Sequence, residues 1–341
     1  MYCVDGGRED IEGLGENNIN EKESMLHSLL SSGIKILYKV SFPIKEKRSV
    51  DYIAMHQHDK IFLKVEKRIS SKDRIFQELK RLSKALNVNA LFIADRFNNE
   101  EILDDVLYIR DRVGVISRDT LDKVSRGKKI YIYEYSGMYY VKINGKKLQR
   151  LRVKMGYSLH ELANTIGVSS KALQKYEEGE MDMSAEKAYR FIELFGEMFE
   201  DVVRGIDIFR DRIVRSESRA MALERLREAE SDDKRYKLAL KFSNFGINAE
   251  VFNAIPTDIL LQSEDTKIFI TYINSKYNEA SIELKCRDNQ FFAKTFNGIA
   301  ISVIDSNRSR EGISIAEDVG EVKVLSNIED FVKELIKSLR R

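Results

Sequence analysis

The chain has 341 residues, 43% of them hydrophobic and 33% charged, and its 57 Lys and Arg nearly cancel 55 Asp and Glu to leave +2. That length suits two or three domains with buried cores and excludes a wholly disordered chain, while the near-zero balance confines any basic surface to one region. Two cysteines, Cys3 and Cys286, form no CxxC pair, which excludes a disulfide scaffold and a cysteine-built zinc ribbon.

Residues 1–24 carry seven acids against Arg8 and Lys22, with four glycines, and read as a solvated acidic tail. Residues 25–128 read as an α/β domain. MLHSLLSSG is a short helix stopped by Gly33, and IKILYKVSF, VDYIAMH and KIFLKV are β-rich runs. RIFQELKRLSKAL places Ile75, Leu79, Leu82 and Leu86 on one helical face. ALFIA is a buried strand, ILDDVLYIRD is expected to be a second helix, and VGVIS a fifth strand. Residues 129–144 form an aromatic hairpin around Ser136-Gly137, either covering a neighbouring domain or offering a stacking platform for single strands. Residues 145–205 are helical throughout. Residues 206–245 are expected to be a helical linker whose Ile206, Phe209, Ile213, Ala220 and Leu223 suggest a weak heptad seam, open to a protein partner. An α/β pattern returns over 246–341.

The two outer regions read as copies of one unit. Asp51 stands nine residues before Lys60-Ile61-Phe62, and Asp258 nine before Lys267-Ile268-Phe269. Gly33 and Gly246 each end a helix; Gly114 and Gly320 each precede a short strand and a final helix. Matched order, spacing and element type suggest duplication.

The middle carries the most specific pattern. Ser158-Leu159-His160-Glu161 is a capping box, and Leu162, Ala163 and Ile166 form the inner face of its helix. Gly167 permits a tight turn, Val168 fills the corner, and Ser169 caps a helix with Leu173 and Tyr176 inside and Gly179 at its end. Ala188, Phe191, Ile192 and Phe195 give a further amphipathic helix. Residues 145–180 hold seven Lys or Arg and four acids, and three of the acids lie at the far end of the capped helix. A helix N-terminus bearing Ser and Lys can hold a phosphate and reach the major groove.

This stretch resembles the Cro/cI-type (Xre) helix-turn-helix domain, with its S-x-x-E-L-A-x-x-x-G-V-S…Y-E-x-G pattern nearly complete. The resemblance implies a five-helix domain that binds double-stranded DNA sequence-specifically, as a homodimer reading two half-sites. It places Ser169, Ser170, Lys171, Gln174 and Lys175, with Ser158 and Lys147, at the DNA; Arg152 and Glu177 match an ion pair between the first and third helices. Leu159 departs from the base-reading Gln common at its place. The order α/β domain, hairpin, helix-turn-helix, α/β domain resembles a family of archaeal transcriptional regulators.

The flanking domains also resemble the PD-(D/E)xK nuclease fold, in which an Asp and an acid on the next strand hold a divalent metal and a Lys two residues on assists attack. Asp51 fits the first acid, but the next strand reads Lys64-Val65-Glu66, in reversed order, and Glu66-Lys67-Arg68 puts Arg in place of Lys. Asp258 faces Ile270-Thr271-Tyr272-Ile273, with neither acid nor Lys. His56 and His58 lack a third ligand at a fixed spacing. The expectation is therefore a multidomain fold, a five-helix Cro-type helix-turn-helix between two restriction-endonuclease-like α/β domains. No enzyme activity, metal or cofactor is expected; a metal-dependent nuclease targeted by its helix-turn-helix is the alternative. No apolar run approaches the ~18 residues of a membrane span, and the first residues lack a signal-peptide layout, so a cytoplasmic location is expected.

Overall fold

The computed structural model describes residues 27–44, 46–214, 219–228, 233–263, 266–305, 310–325 and 327–339. The expected acidic tail lies outside them.

After a helical segment at 27–31, the first unit runs β1 (Ile34–Lys39), β2 (Tyr52–His56), β3 (Asp59–Val65), β4 (Arg68–Ile69), α1 (Arg74–Leu86), β5 (Asn89–Ile93), β6 (Arg96–Phe97), β7 (Glu100–Glu101), β8 (Val106–Arg110), β9 (Val113–Ile116) and α2 (Arg118–Ser125). Leu79, Leu82 and Leu86 of α1 are buried, and Ile75 packs at the edge of the same cluster. Residues 102–111 are not a helix. Ile102, Val106 and Ile109 recur at helical spacing, but Asp105 (φ 62°) and Asp111 (φ 66°) adopt the left-handed conformation at either end of β8. Between those breaks Tyr108, Ile109 and Arg110 pair antiparallel with β9, where β-rich side chains gain sheet hydrogen bonds on a buried face.

The sheet then grows into the middle of the chain. β10 (Ile132–Tyr135) pairs parallel with β8, β11 (Met138–Val141) closes the hairpin through Ser136 and Gly137, both at positive φ, and β12 (Met183–Ser184) pairs with β11. One nine-stranded sheet, in the order β1-β2-β3-β5-β9-β8-β10-β11-β12, thus ties the first unit to the helical middle. That middle comprises α3 (Gly145–Lys154), α4 (Leu159–Ile166), α5 (Ser170–Glu178), α6 (Ala185–Phe195) and a 3-10 turn at Gly196–Phe199. Their inner faces form one core that includes Leu148, Leu162, Leu173 and Phe191. Ile192, expected inside, is 46% exposed; α6 turns Ala188, Phe191 and Phe195 inward instead.

The expected helical linker over 206–245 breaks into separate pieces. Ile206, Ile208 and Phe209 are non-helical and buried in the first unit's core, so no heptad seam begins there. Arg212 donates to the carbonyls of Ala90, Arg112, Ile208 and Asp211, and crosses β9 where a Cβ on Gly114 would meet its guanidinium. Two short helices follow, α7 (Arg219–Glu228) and α8 (Lys234–Asn244), and both pack on the second unit.

That second unit comprises β13 (Asn248–Val251), β14 (Ile259–Gln262), β15 (Lys267–Ile273), α9 (Glu279–Thr295), β16 (Ile299–Asp305), α10 (Arg310–Val319), β17 (Val322–Leu325) and α11 (Ile328–Leu339). Its sheet order β13-β14-β15-β16-β17 repeats β1-β2-β3-β5-β9 with the same antiparallel and parallel senses. The register repeats too: Ala54 faces Ile61 as Leu261 faces Ile268. Glycine at 33 and 246, each at positive φ, ends the preceding helix in both copies. No described helix is long and apolar enough to cross a membrane.

The two units pack on each other as the halves of a symmetric dimer would. Glu78 of α1 accepts from the amides of Asn253 and Ala254, while Asp288 of α9 accepts from those of Ser41 and Phe42. The acceptors come from equivalent helices. The donors also correspond, because Val40 and Phe252, just before them, donate respectively to the carbonyls of Asp51 and Asp258. Such reciprocity marks an isologous contact, here within one chain. Phe62 and its counterpart Phe269 join Phe292 and Phe296 in a core that spans both units. Each fully buried ring there contributes roughly 1.5–3 kcal/mol.

Candidate nucleic-acid interface

The helix-turn-helix geometry follows from local sequence. Ser158 accepts from the amide of Glu161 (3.2 Å), and Glu161 accepts from the amide of Ser158 (2.8 Å), so two of the orphan donors that begin α4 are satisfied. Those bonds also hold the Glu161 carboxyl below its ordinary range. Gly167 takes φ 72° to end α4, and Ser169 then accepts from the amide of Ala172 to start α5. Leu173 and Tyr176 are buried, which turns the opposite face of α5 outward. Lys171, Gln174 and Lys175 are exposed on it, Ser170 is half-buried, and Ser169 is exposed at the cap. Gln174 donates to Glu178 (2.8 Å).

α3 is locked beneath α5. Arg152 forms a bidentate pair with Glu177, Nε to Oε1 at 2.6 Å and Nη2 to Oε2 at 3.0 Å, and a third bond reaches the carbonyl of Tyr157. The carboxylate raises the guanidinium above its ordinary value. Gly145 lies so close to the carbonyls of Tyr176 and Glu177 that a Cβ would collide with them. Lys147 is exposed in the first turn of α3, and its amide is bound by the Asn144 side chain. Leu159 packs at the edge of the core, consistent with its departure from a polar reading residue.

In the outer units the expected acids form different constellations. Lys64 Nζ lies 3.2 Å from Asp51 Oδ1 and 3.1 Å from Glu66 Oε1, so the reversed order still brings all three together. The ammonium stands between the two carboxylates, the place a shared cation would take. Asp51 also accepts from the amide of Val65, as Asp258 does from that of Tyr272. The strand beside Asp258 supplies no cation, but α9 supplies Lys285, whose Nζ is 2.6 Å from Asp258 Oδ2, and Arg235 adds a contact of 3.0 Å to Oδ1. Lys285 is fully buried, over the rings of Phe42 and Tyr277. His56 ends β2 beside Phe209 and Asp207, and His58 lies in the following turn. No group of three or more His, Cys, Asp or Glu among the described residues could hold a metal ion.

Residues 148–199 match the profile of a helix-turn-helix family, and residues 18–130 that of a PD-(D/E)XK superfamily domain. A protein of Saccharolobus solfataricus named as an HTH-type transcriptional regulatory protein is 30% identical over 242 residues, covering 71% of this chain and 74% of its own. The chain belongs to this family of archaeal HTH-type transcriptional regulatory proteins. The family member from Methanocaldococcus jannaschii is 27% identical over 323 residues, 93% of this chain and 98% of its own, so the likeness runs through both α/β units. One from Saccharolobus islandicus is 28% identical over 242 residues, 71% of this chain and 74% of its own. No solved structure matches.

Two residues of this family member escaped the sequence reading. Lys285 lies inside a helix, fourteen positions after Thr271, and only the packing of α9 onto β15 brings it to Asp258. His160 occupies the second of the two variable places of a capping box, where no residue type is required. The signal that could have found it is local: residues four apart on a helix are neighbours, and Asn164 follows at that spacing.

Proposed function

We propose that this chain is a sequence-specific, double-stranded DNA-binding transcriptional regulator that docks α5 in the major groove. The observation that carries this reading is the division of α5 into a buried face, Leu173 and Tyr176, and an outward face of Ser170, Lys171, Gln174 and Lys175 behind an N-terminus capped by Ser169. Ser170 and Lys171, in the first turn, read bases; Ser158, Ser169 and Lys175 serve the flanking phosphates, with Gln174 deeper along the helix. Lys147, at the start of α3, touches backbone. A homodimer in the cytoplasm, reading two half-sites about one helical turn apart, fits the family's domain. In vitro selection of bound duplexes tests the reading, and a symmetric motif is the expected result. Lys171→Ala should then weaken the selected site by ~1–3 kcal/mol relative to random DNA. Lys147→Ala should weaken both alike and lower the salt slope by about one. Equal loss on both duplexes for Lys171→Ala makes that residue a phosphate contact.

The convergence of Asp51, Glu66 and Lys64 favours one other reading, a metal-dependent nuclease targeted by the helix-turn-helix. Against it stands the position of the Lys64 ammonium between the carboxylates, and the pairing of Asp258 with Lys285 and Arg235. The outer units then serve assembly and DNA-backbone contact without cleavage. Incubation with Mg²⁺ or Mn²⁺ and several DNA forms should leave them intact. Cleavage lost in Asp51→Ala would establish the nuclease.

A further inference from the structure

Leu159 packs at the edge of the core, and His160 of α4 reaches the head of α5. This exposed residue is the second of α4. Its Nδ1 lies 3.4 Å from the Oγ of Ser170, the first residue of α5, and its Nε2 lies 3.1 Å from Asn164 Nδ2, one turn along α4.

As the Asn164 amide stands, its nitrogen faces the ring, and that orientation sets the direction of both bonds. An amide nitrogen only donates, so Nε2 of the ring accepts from Asn164. A neutral imidazole has one donor and one acceptor, which leaves the ring proton on Nδ1. Nδ1–H therefore donates to Ser170 Oγ. A serine hydroxyl can both donate and accept; with a lone pair occupied by the ring, its own proton is left to turn away from His160, toward the outward side of α5.

Resting on the DNA-reading role argued above, we propose that His160 is a specificity-determining positioning residue. Accepting from the ring occupies one of the two lone pairs of Ser170 and leaves its proton free outward, which biases Ser170 toward an acceptor on the base edge: purine N7, guanine O6 or thymine O4. A free serine accepts from cytosine N4 or adenine N6 as readily as it donates, and so discriminates little. The ring supplies the polarity without touching the base. Reading that α4 would otherwise make through its first residue thus passes through the second to the neighbouring helix.

The test is a double-mutant cycle on the selected duplex and on duplexes changed at each base pair in turn. The full chain is used, with far-UV circular dichroism to show each variant folded; both sites lie at the surface, so truncation leaves the core untouched. Wild type should prefer an acceptor-bearing base at one position of each half-site by about tenfold over the alternatives. His160→Ala should bring that ratio close to one while leaving preferences at other positions and the salt slope unchanged. Ser170→Ala should do the same, and adding His160→Ala to it should change nothing further, since the ring acts through the hydroxyl. Additive losses would make His160 a direct DNA contact and overturn the proposal. So would equal weakening of all duplexes by His160→Ala, or a wild-type preference at that position for a donor-bearing base edge. A wild type that prefers no duplex at all would instead sink the regulator reading, and this inference with it.

Discussion

The first and second α/β units place an aspartate at the same point of the same sheet, yet neutralise it from opposite directions. In the first, the cation comes from the adjoining strand: Lys64 bridges Asp51 and Glu66, whose side chains are 15% and 18% exposed. In the second, Thr271 stands where Lys64 would be, and the cation arrives from helix α9 as Lys285, against an Asp258 that is 3% exposed. The backbone bonds around the two aspartates match one for one. The scaffold is thus held by main-chain pairing and packing, which leaves the charge balance of the pocket free to be met by whichever side chain reaches it.

Burial decides which of these pairs matters more for stability. Lys285→Met should cost the most, about 3 kcal/mol, the low end for removing one partner of a buried pair, because Asp258 keeps Arg235. Urea-unfolding midpoints measure it, and a loss under about 1 kcal/mol would show that Asp258 is served by Arg235 alone. Lys64→Met should cost less, about 1 kcal/mol, because water reaches both of its carboxylates. It also leaves Asp51 and Glu66 facing one vacated position, with only the longer pairs to Arg48 (3.7 Å) and Lys47 (3.5 Å) beside them, so Mn²⁺ should raise the melting temperature of Lys64→Met and not that of Lys285→Met. An equal response in both would erase the distinction between the sites.

The smallest effect separates the reciprocal contacts. Burial pushes the Glu78 carboxyl above its ordinary value of 4.5, although the amides of Ala254 and Asn253 draw it back. A raised carboxyl keeps its proton in the folded chain at a pH where the unfolded chain has lost it. Its stabilisation is therefore present below about 4.5 and fades as pH rises through the folded value. Glu78→Gln cannot titrate, so its stability should fall less than that of wild type between pH 4.5 and 7. Parallel unfolding curves for the two proteins across that range would mean that the amide bonds, not burial, govern Glu78.

Much of this molecule was legible along the chain because its signals are local. The capping box at Ser158, the left-handed turn at Gly167, the cap at Ser169 and the inward Leu173 and Tyr176 each depend on residues within a turn of one another, where spacing alone determines geometry. The duplication could be read from Asp51 and Asp258 because strand register preserves spacing. Where spacing is ambiguous, the tertiary structure decided. Residues 102–111 satisfy helical periodicity, yet the neighbouring β9 and the left-handed Asp105 and Asp111 make a strand of Val106–Arg110 instead. Ile206 and Phe209 could have lined a coiled coil, but the first unit's core offered a larger apolar surface to bury them. Lys285 is separated from its acid by strand β15 and lies inside the next helix, and the reciprocal hold of Glu78 and Asp288 joins one unit to the other. Such contacts carry no periodicity, because nothing between the partners has to repeat for them to meet.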